Sequence, residues 1–110
     1  MPIEYTPRTR TDVINVSIRR NQPDLGIFNL DIQRRRKTGH PDSGYHLVVR
    51  WDATVEKGRP HHVVGGWFPN AVEINVICKG EEPTEQQTQV INTLTEHLTN
   101  LYTGASIHYA

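Results

Sequence analysis

Six histidines are the side chains in this sequence that are best suited to bind a metal ion or to transfer a proton. They are His40, His46, His61, His62, His97 and His108. Two histidines that bind one metal ion from a helix are commonly spaced as H-x-x-x-H, and no pair here has that spacing on a predicted helix. Two interpretations stay open: a metal site of unusual arrangement, or histidines that are packed or lie at the surface.

Cys78 is the only cysteine of the 110-residue chain, so it has no partner for an internal disulfide. It lies within an apolar run, and we interpret it as a small core residue rather than a reactive thiol. Twelve basic residues balance twelve acidic ones, which gives no overall charge that would favour nucleic acid or an acidic polymer. The sequence shows neither a signal-peptide pattern nor a membrane-spanning run of about 20 apolar residues. These features predict a cytoplasmic protein.

Two groups of residues are candidates for a binding surface. The first, which we call the basic group, consists of Arg19, Arg20, Arg34, Arg35, Arg36 and Lys37. A solvated face, an acidic protein surface and nucleic acid are all open as its role, although no known nucleic-acid motif is present. The second is the aromatic pair, Trp67 and Phe68, on a glycine-flanked loop. These two side chains either pack under the sheet or contact a partner.

Hydrophobic periodicity and turn residues predict seven elements. They are a strand over 12–18, a helix from Asn29 to about Thr38, a hairpin of strands 45–51 and 54–57, a strand over 71–79, a helix starting after Thr84, and a final strand over 105–109. Thr84 and Gln87 form a capping box for the last helix. Its apolar stripe consists of Val90, Ile91, Leu94, Leu98 and Leu101. The order predicts an α/β protein with a mixed central β-sheet flanked by two main helices.

Five stretches carry a resemblance to a known family. They are TDVINV at 11–16, DSGYHLVV at 42–49, WDATVEKGR at 51–59, INVICKG at 74–80 and PTEQQ at 83–87. In order and spacing over residues 11–104 they resemble the type-2 N-acetylmuramoyl-L-alanine amidases, which include phage zinc-amidase lysozymes and peptidoglycan recognition proteins. The hairpin, similar to the family's D-G-x-V-x-x-G-R, is the most specific. The resemblance implies an amidase-like single domain over 1–110, with an irregular arm at 1–11.

The family's chemistry implies a zinc ion held by three side chains, with water in the fourth position. Tyr45 matches the family's assisting tyrosine. Ser17 stands where the family has its first histidine ligand, and His108 is the candidate for the second. The third ligand would follow Ala110, where this sequence ends. At best one ligand of three is matched, so the resemblance implies a degenerate zinc site and no bound cofactor.

This ligand count leads to the hypothesis of a catalytically inactive, phage-encoded amidase-like protein that binds and inhibits or regulates a host or viral protein. The basic group and the aromatic pair would form its contact surface, with nucleic acid a less favoured partner and no membrane. Two alternatives stay open. One is a zinc-dependent amidase that cleaves peptidoglycan, and the other is a non-catalytic binder of peptidoglycan fragments.

Overall fold

Residues 4–109, the part of the chain that the computed structural model describes, form a five-stranded sheet between two helices. The elements are β1 (Val13–Arg19), α1 (Ile27–Thr38), β2 (Leu47–Val49), β3 (Val55–Lys57), β4 (Ala71–Ile77), α2 (Glu85–Leu101) and β5 (Ser106–Tyr109). The strand order is β3-β2-β4-β1-β5, with only the β2–β3 pair antiparallel. The predicted α/β class, the mixed sheet and the order of elements are confirmed. Within residues 4–109, neither helix has the length and apolar character needed to cross a membrane.

One face of the sheet packs against α2. Ile14, Val16 and Ile74 from the sheet form one buried cluster with Ile91 and Leu98 from the helix. Each fully buried side chain of this size contributes roughly 1.5–3 kcal/mol. Every residue of β4 is buried, as expected for a central strand in a mostly parallel sheet with cover on both faces. The α2 face is therefore the main apolar core.

The start of α2 confirms the predicted capping box. Thr84 Oγ1 accepts a hydrogen bond from the Gln87 amide at 3.1 Å, and Gln87 Oε1 accepts one from the Thr84 amide at 3.0 Å. Gln87 Nε2 also donates to the Ile77 carbonyl at 2.6 Å, which ties the helix to the end of β4. The predicted stripe is wrong at its end, since Leu101 is 50% exposed. Leu101 is the last residue of α2 and lies outside the buried cluster.

Helix α1 covers part of the opposite sheet face. Leu30 packs there with Tyr45, Val48 and Ile77. The helix begins at Ile27 rather than at Asn29, because Asn29 acts from the third helical position: its Oδ1 accepts from the amide of the preceding Gly26 at 3.1 Å. Its predicted end is confirmed. Gly39 has a φ of 78°, and its amide donates to the Arg35 carbonyl at 3.0 Å.

The strand predicted over 45–51 is shorter than expected, since β2 contains only Leu47–Val49. Tyr45 and His46 precede it, just after a turn in which Gly44 has a φ of 85°. Trp51 lies in the turn between β2 and β3, where Ala53 has a φ of 69°. The predicted hairpin is confirmed, and the alternation that predicted a longer strand continues beyond the paired residues at both ends.

Asp42 joins segments that are distant in sequence. Its Oδ1 accepts from Arg59 Nη2 at 2.8 Å and from the Gly44 amide at 3.1 Å, and its Oδ2 accepts from the Tyr5 hydroxyl at 2.8 Å. Burial alone would raise the pKa of Asp42, but the hydrogen bonds from Arg59 and Tyr5 outweigh it and lower that pKa. The irregular arm was expected over residues 1–11, of which 1–3 lie outside the described residues. Residues 4–11 contain no helix or extended strand, and Tyr5 attaches them to this carboxylate.

We expect the Asp42→Ala substitution to lower the free energy of unfolding by about 3–5 kcal/mol, because it leaves the largely buried Arg59 guanidinium without its carboxylate. The control is Asp12→Ala, which removes an exposed pair with Arg10 and is expected to cost under about 1 kcal/mol. Urea denaturation measures both values, and equal losses in the two variants would contradict the prediction.

The contribution of Asp42 to stability depends on pH and decreases in acid. Because the pKa of Asp42 is lowered from 3.8 on folding, its contribution is fully present above that value. It is lost as the pH falls through the folded-state pKa. The difference in stability between the wild type and Asp42→Ala should therefore shrink only in acid below about pH 4.

Candidate functional site

Helix α1 covers only part of the sheet face opposite α2. The uncovered part of that face is the floor of a groove of about 780 Å³. Polar residues at alternate positions of β1, β4 and β5 point into it, since side chains of a strand alternate between its faces. These floor residues are Asn15, Ser17, Glu73, Ser106 and His108. Trp67, Phe68 and Pro69 add apolar side chains beside this floor, and Asp12 and Asn70 add polar groups to the lining. The site is thus a polar floor beside a largely apolar wall.

The aromatic pair forms one wall of this groove. Trp67 is 49% exposed and Phe68 is 60% exposed, so neither is packed under the sheet. The Trp67 ring lies 5.8 Å from the Tyr45 ring, centroid to centroid, and the Arg34 guanidinium carbon lies 4.7 Å from the Trp67 centroid. Arg34 Nη2 also donates to the Gly66 carbonyl at 2.9 Å. Trp67 is therefore held in place, and a role in binding stays a prediction.

Ser17, at the position of the family's first zinc ligand, is engaged in hydrogen bonds with β4. Its Oγ accepts from Asn75 Nδ2 at 2.9 Å and donates to the Ile74 carbonyl at 3.4 Å. Arg19 Nε in turn donates to Asn75 Oδ1 at 3.1 Å, which orients the amide. A neutral hydroxyl is not among the usual protein ligands of zinc, and these bonds hold it against the sheet.

His108, the candidate for the second ligand, lines the groove but does not lie opposite Ser17. The register of β1 and β5 pairs it with Asn15, two residues before Ser17. Among residues 4–109, no group of three His, Cys, Asp or Glu side chains is placed to bind a metal ion. The described residues do not fit a zinc ion with three protein ligands. A complete set would need donors from outside them.

His46, one of the six histidines considered above, is a structural residue. It is 1% exposed; its Nδ1 accepts from the Glu73 amide at 2.8 Å, so Nε2 carries the proton that is donated to the Val63 carbonyl at 2.8 Å. Burial lowers the pKa of His46 from 6.5 to about 4. The neutral ring joins the start of β2, strand β4 and the loop at Val63. Cys78 is likewise a buried core residue, as predicted.

The structure brings only part of the basic group together. Arg19, Arg34 and Lys37 line a second cavity of about 440 Å³, which shares Tyr45 and Trp67 with the groove. The others point elsewhere or are exposed: Arg20 donates to the Glu81 carbonyl, Arg35 donates to the Pro41 carbonyl, and Arg36 is exposed. Arg34 itself is largely buried beside Asp42. The basic group is therefore not one continuous surface.

Glu73 is one of three floor residues, with Asn15 and Ser106, that the sequence analysis did not identify as site residues. It is 3% exposed, and its Oε1 accepts from Asn15 Nδ2 at 2.7 Å. Burial raises the pKa of Glu73, and the bond from Asn15 opposes that effect only in part. The sequence did contain a signal for this residue. Glu73 is a charged residue within the most apolar strand of the chain, and it lies two positions before Asn75, on the same face of that strand.

The sheet order, the two covering helices and the groove define the class of N-acetylmuramoyl-L-alanine amidases and peptidoglycan recognition proteins. An amidase endolysin from Clostridium intestinale URNW superposes with a TM-score of 0.80 at 24% identity, covering 97% of this chain and 77% of that one. A peptidoglycan recognition protein from Alvinella pompejana has a TM-score of 0.80 at 17% identity, covering 100% and 80%. No protein-family model matches the sequence.

An endolysin from Klebsiella phage KP32 is 31% identical to this chain and aligns with 94% of it and 76% of its own length. The chain belongs to the amidase and peptidoglycan recognition family, and its sequence relatives there are phage endolysins. The hypothesis of a catalytically inactive protein that inhibits or regulates a host or viral protein is wrong, because these relatives are endolysins and the fold is that of wall-cleaving amidases. The predicted protein partner is wrong for the same reason.

We expect the free energy of unfolding to fall by about 3 kcal/mol between pH 6.5 and pH 4 on account of His46, because its pKa is lowered from 6.5 to about 4 on folding. The unfolded chain binds a proton in this window that the folded chain excludes, so stability rises with pH. Urea denaturation across the window should show a smaller slope in His46→Gln. The exposed His62→Gln control should keep the wild-type slope, and a His46→Gln slope equal to it would contradict the prediction.

Proposed function

We propose that this chain acts on bacterial peptidoglycan as an amidase of the phage endolysin type, with the groove as its substrate site. The single observation that carries the proposal is this groove of about 780 Å³, with aromatic walls and a polar floor, on the family's fold. Its volume lies in the usual range for ligand sites. The chain would be made in the cytoplasm of the host cell, and the cell wall is where it would act.

The groove suits the chemistry of an N-acylated sugar that carries a peptide. The apolar wall of Trp67, Phe68 and Pro69 offers surface for sugar faces and alkyl side chains. Amide groups of the substrate need hydrogen-bond partners once water is displaced, and the floor supplies them. Tyr45, which is largely buried and lines the groove, is placed to contact the substrate at the edge of the floor.

Zinc would supply a Lewis acid and an activated water in an amidase of this type. The donor side chains within residues 4–109 do not fit a zinc ion. What these residues do is bind and orient: the walls exclude water, and the floor positions an amide. His108 is the single imidazole among the groove-lining residues that the structure describes.

A second candidate function, binding of peptidoglycan fragments without cleavage, is favoured by one specific observation. The Ser17 hydroxyl is engaged by Asn75 at 2.9 Å, at the position where the family has its first zinc ligand. A groove that keeps its walls and floor but lacks a metal would still bind the substrate. The two candidates make the same prediction for binding and opposite predictions for hydrolysis.

One experiment separates them. The protein is incubated with purified peptidoglycan, and pelleting measures binding, new L-alanine amino groups measure cleavage, and mass spectrometry measures zinc in the same sample. Binding together with cleavage and stoichiometric zinc supports the amidase. Binding without either supports the fragment binder, and the absence of binding overturns both. Ser17→His provides the matched variant, since it restores an imidazole at the first ligand position.

We expect Phe68→Ala to weaken binding to peptidoglycan roughly fivefold or more, because it removes a wall of the groove. The matched control is Phe28→Ala, which removes an equally large side chain that is 70% exposed on α1 and does not line the groove. The control should bind as the wild type does. A pelleting assay over a range of peptidoglycan concentrations gives both affinities, and equal weakening in the two variants would argue against the groove.

A further inference from the structure

The carboxyl group of Glu73 lies in the groove floor without a cationic partner. Within residues 4–109 the carboxyl receives one hydrogen bond, from Asn15 Nδ2 at 2.7 Å. No lysine or arginine is among the described residues that line the groove. Buried charges in proteins are usually paired or bind metal ions, because an isolated carboxylate loses its hydration. Glu73 therefore carries a free-energy cost in the free protein that an apolar residue at this position would avoid.

The position of this carboxyl is fixed by the backbone around it. The Glu73 amide donates to His46 Nδ1 at 2.8 Å, and the Glu73 carbonyl accepts from the His46 amide at 2.9 Å. The backbone of Gly65 packs against both side chains: a Cβ at that position would lie 2.8 Å from His46 Cε1 and 3.0 Å from Glu73 Cγ. A preorganised polar group in an otherwise apolar groove is the arrangement that binds a ligand with little loss of entropy.

We propose that Glu73 is a substrate-binding residue whose carboxylate accepts the N–H of a secondary amide of the peptidoglycan. This inference rests on the proposed function and names the contact that its floor makes. Asn15 holds Oε1 through its amide nitrogen, and the second carboxylate oxygen is left for the ligand. Peptide bonds and N-acetyl groups share this donor chemistry, and both occur in the substrate.

The surroundings of Glu73 favour an amide N–H over the other possible ligands. No group of three metal-binding side chains exists within residues 4–109, so a tightly held cation does not fit. An anion would be repelled by the carboxylate. An amide N–H satisfies the carboxylate, and the rest of the amide-bearing group contacts the apolar wall at Trp67 and Phe68. Because this contact favours the ionised carboxylate, binding should strengthen as the pH rises through the Glu73 pKa.

The test uses Glu73→Gln, which keeps the shape of the side chain and an oxygen that accepts from Asn15 but removes the charge. Affinity for soluble muramyl-peptide fragments is measured by calorimetry between pH 4.5 and 8. We expect the variant to bind about tenfold to a hundredfold more weakly at neutral pH. Its melting temperature should be equal or higher, because the buried charge is gone. A residue with a merely structural role would lower it.

The pH profile is interpreted as the difference between the wild type and Glu73→Gln, because other ionisable groups lie near the floor. His46 contacts the Glu73 backbone, and Asp12, Tyr45 and His108 line the same groove. The wild type should gain affinity with rising pH relative to the variant. A gain toward acid instead would mean that a protonated carboxyl donates to the ligand, and it would overturn the proposal.

Two further measurements complete the test: binding by a control variant, and an NMR titration of the wild type. Glu96→Gln, on the exposed surface of α2 across the sheet, is the matched control and should bind normally. Carbon-13 NMR of the glutamate carboxyl groups in the wild type should show one resonance shifting when fragments are added, which requires no variant to fold. If the wild type binds but Glu73→Gln binds equally well, the Glu73 proposal fails alone. If the wild type does not bind, the proposed function fails with it.

Discussion

The carboxylate of Asp42 is the interaction on which the geometry of the groove depends. It receives Arg59 from beyond the hairpin and Tyr5 from the N-terminal segment, both at 2.8 Å. Arg59 also donates to the Val64 carbonyl at 2.9 Å, and Arg34 bridges the Asp42 region to Gly66. The loop that carries Trp67 and Phe68 is therefore held by the Asp42 region through Arg59 and Arg34, although it has little regular structure of its own. A loop of this kind gains precision from such contacts.

The sheet has two faces with different tasks, and this division follows from strand register. Ile14 and Val16 face α2, whereas Asn15 and Ser17 face the groove. A slip of one residue in the pairing of β1 would exchange the two sets and bury the polar side chains under α2. The apolar core on the α2 face therefore fixes the register, and through the register it fixes which side chains form the floor.

Local patterns were sufficient to predict the elements but not the site. The capping box of Thr84 and the stop at Gly39 depend on neighbouring residues, and both were predicted correctly. Glu73 and Asn15 are 58 residues apart, and they meet because the strand order places β1 beside β4. No periodicity in either strand reveals that neighbour. The alternation over 45–51 likewise extends β2 further than its hydrogen bonding does.

The error in function has a related physical cause. A count of zinc ligands tests only one set of residues, and Ser17 was assigned to the first ligand position from the family pattern. A binding site, however, is a surface, and its walls and floor are assembled from a loop and three strands that no single motif describes. On this surface the Glu73 carboxyl group is buried at a cost that the apolar face under α2 offsets. Real proteins carry local costs of this kind at functional sites, and the buried carboxyl without a cationic partner is the observation on which the proposed substrate contact of Glu73 rests.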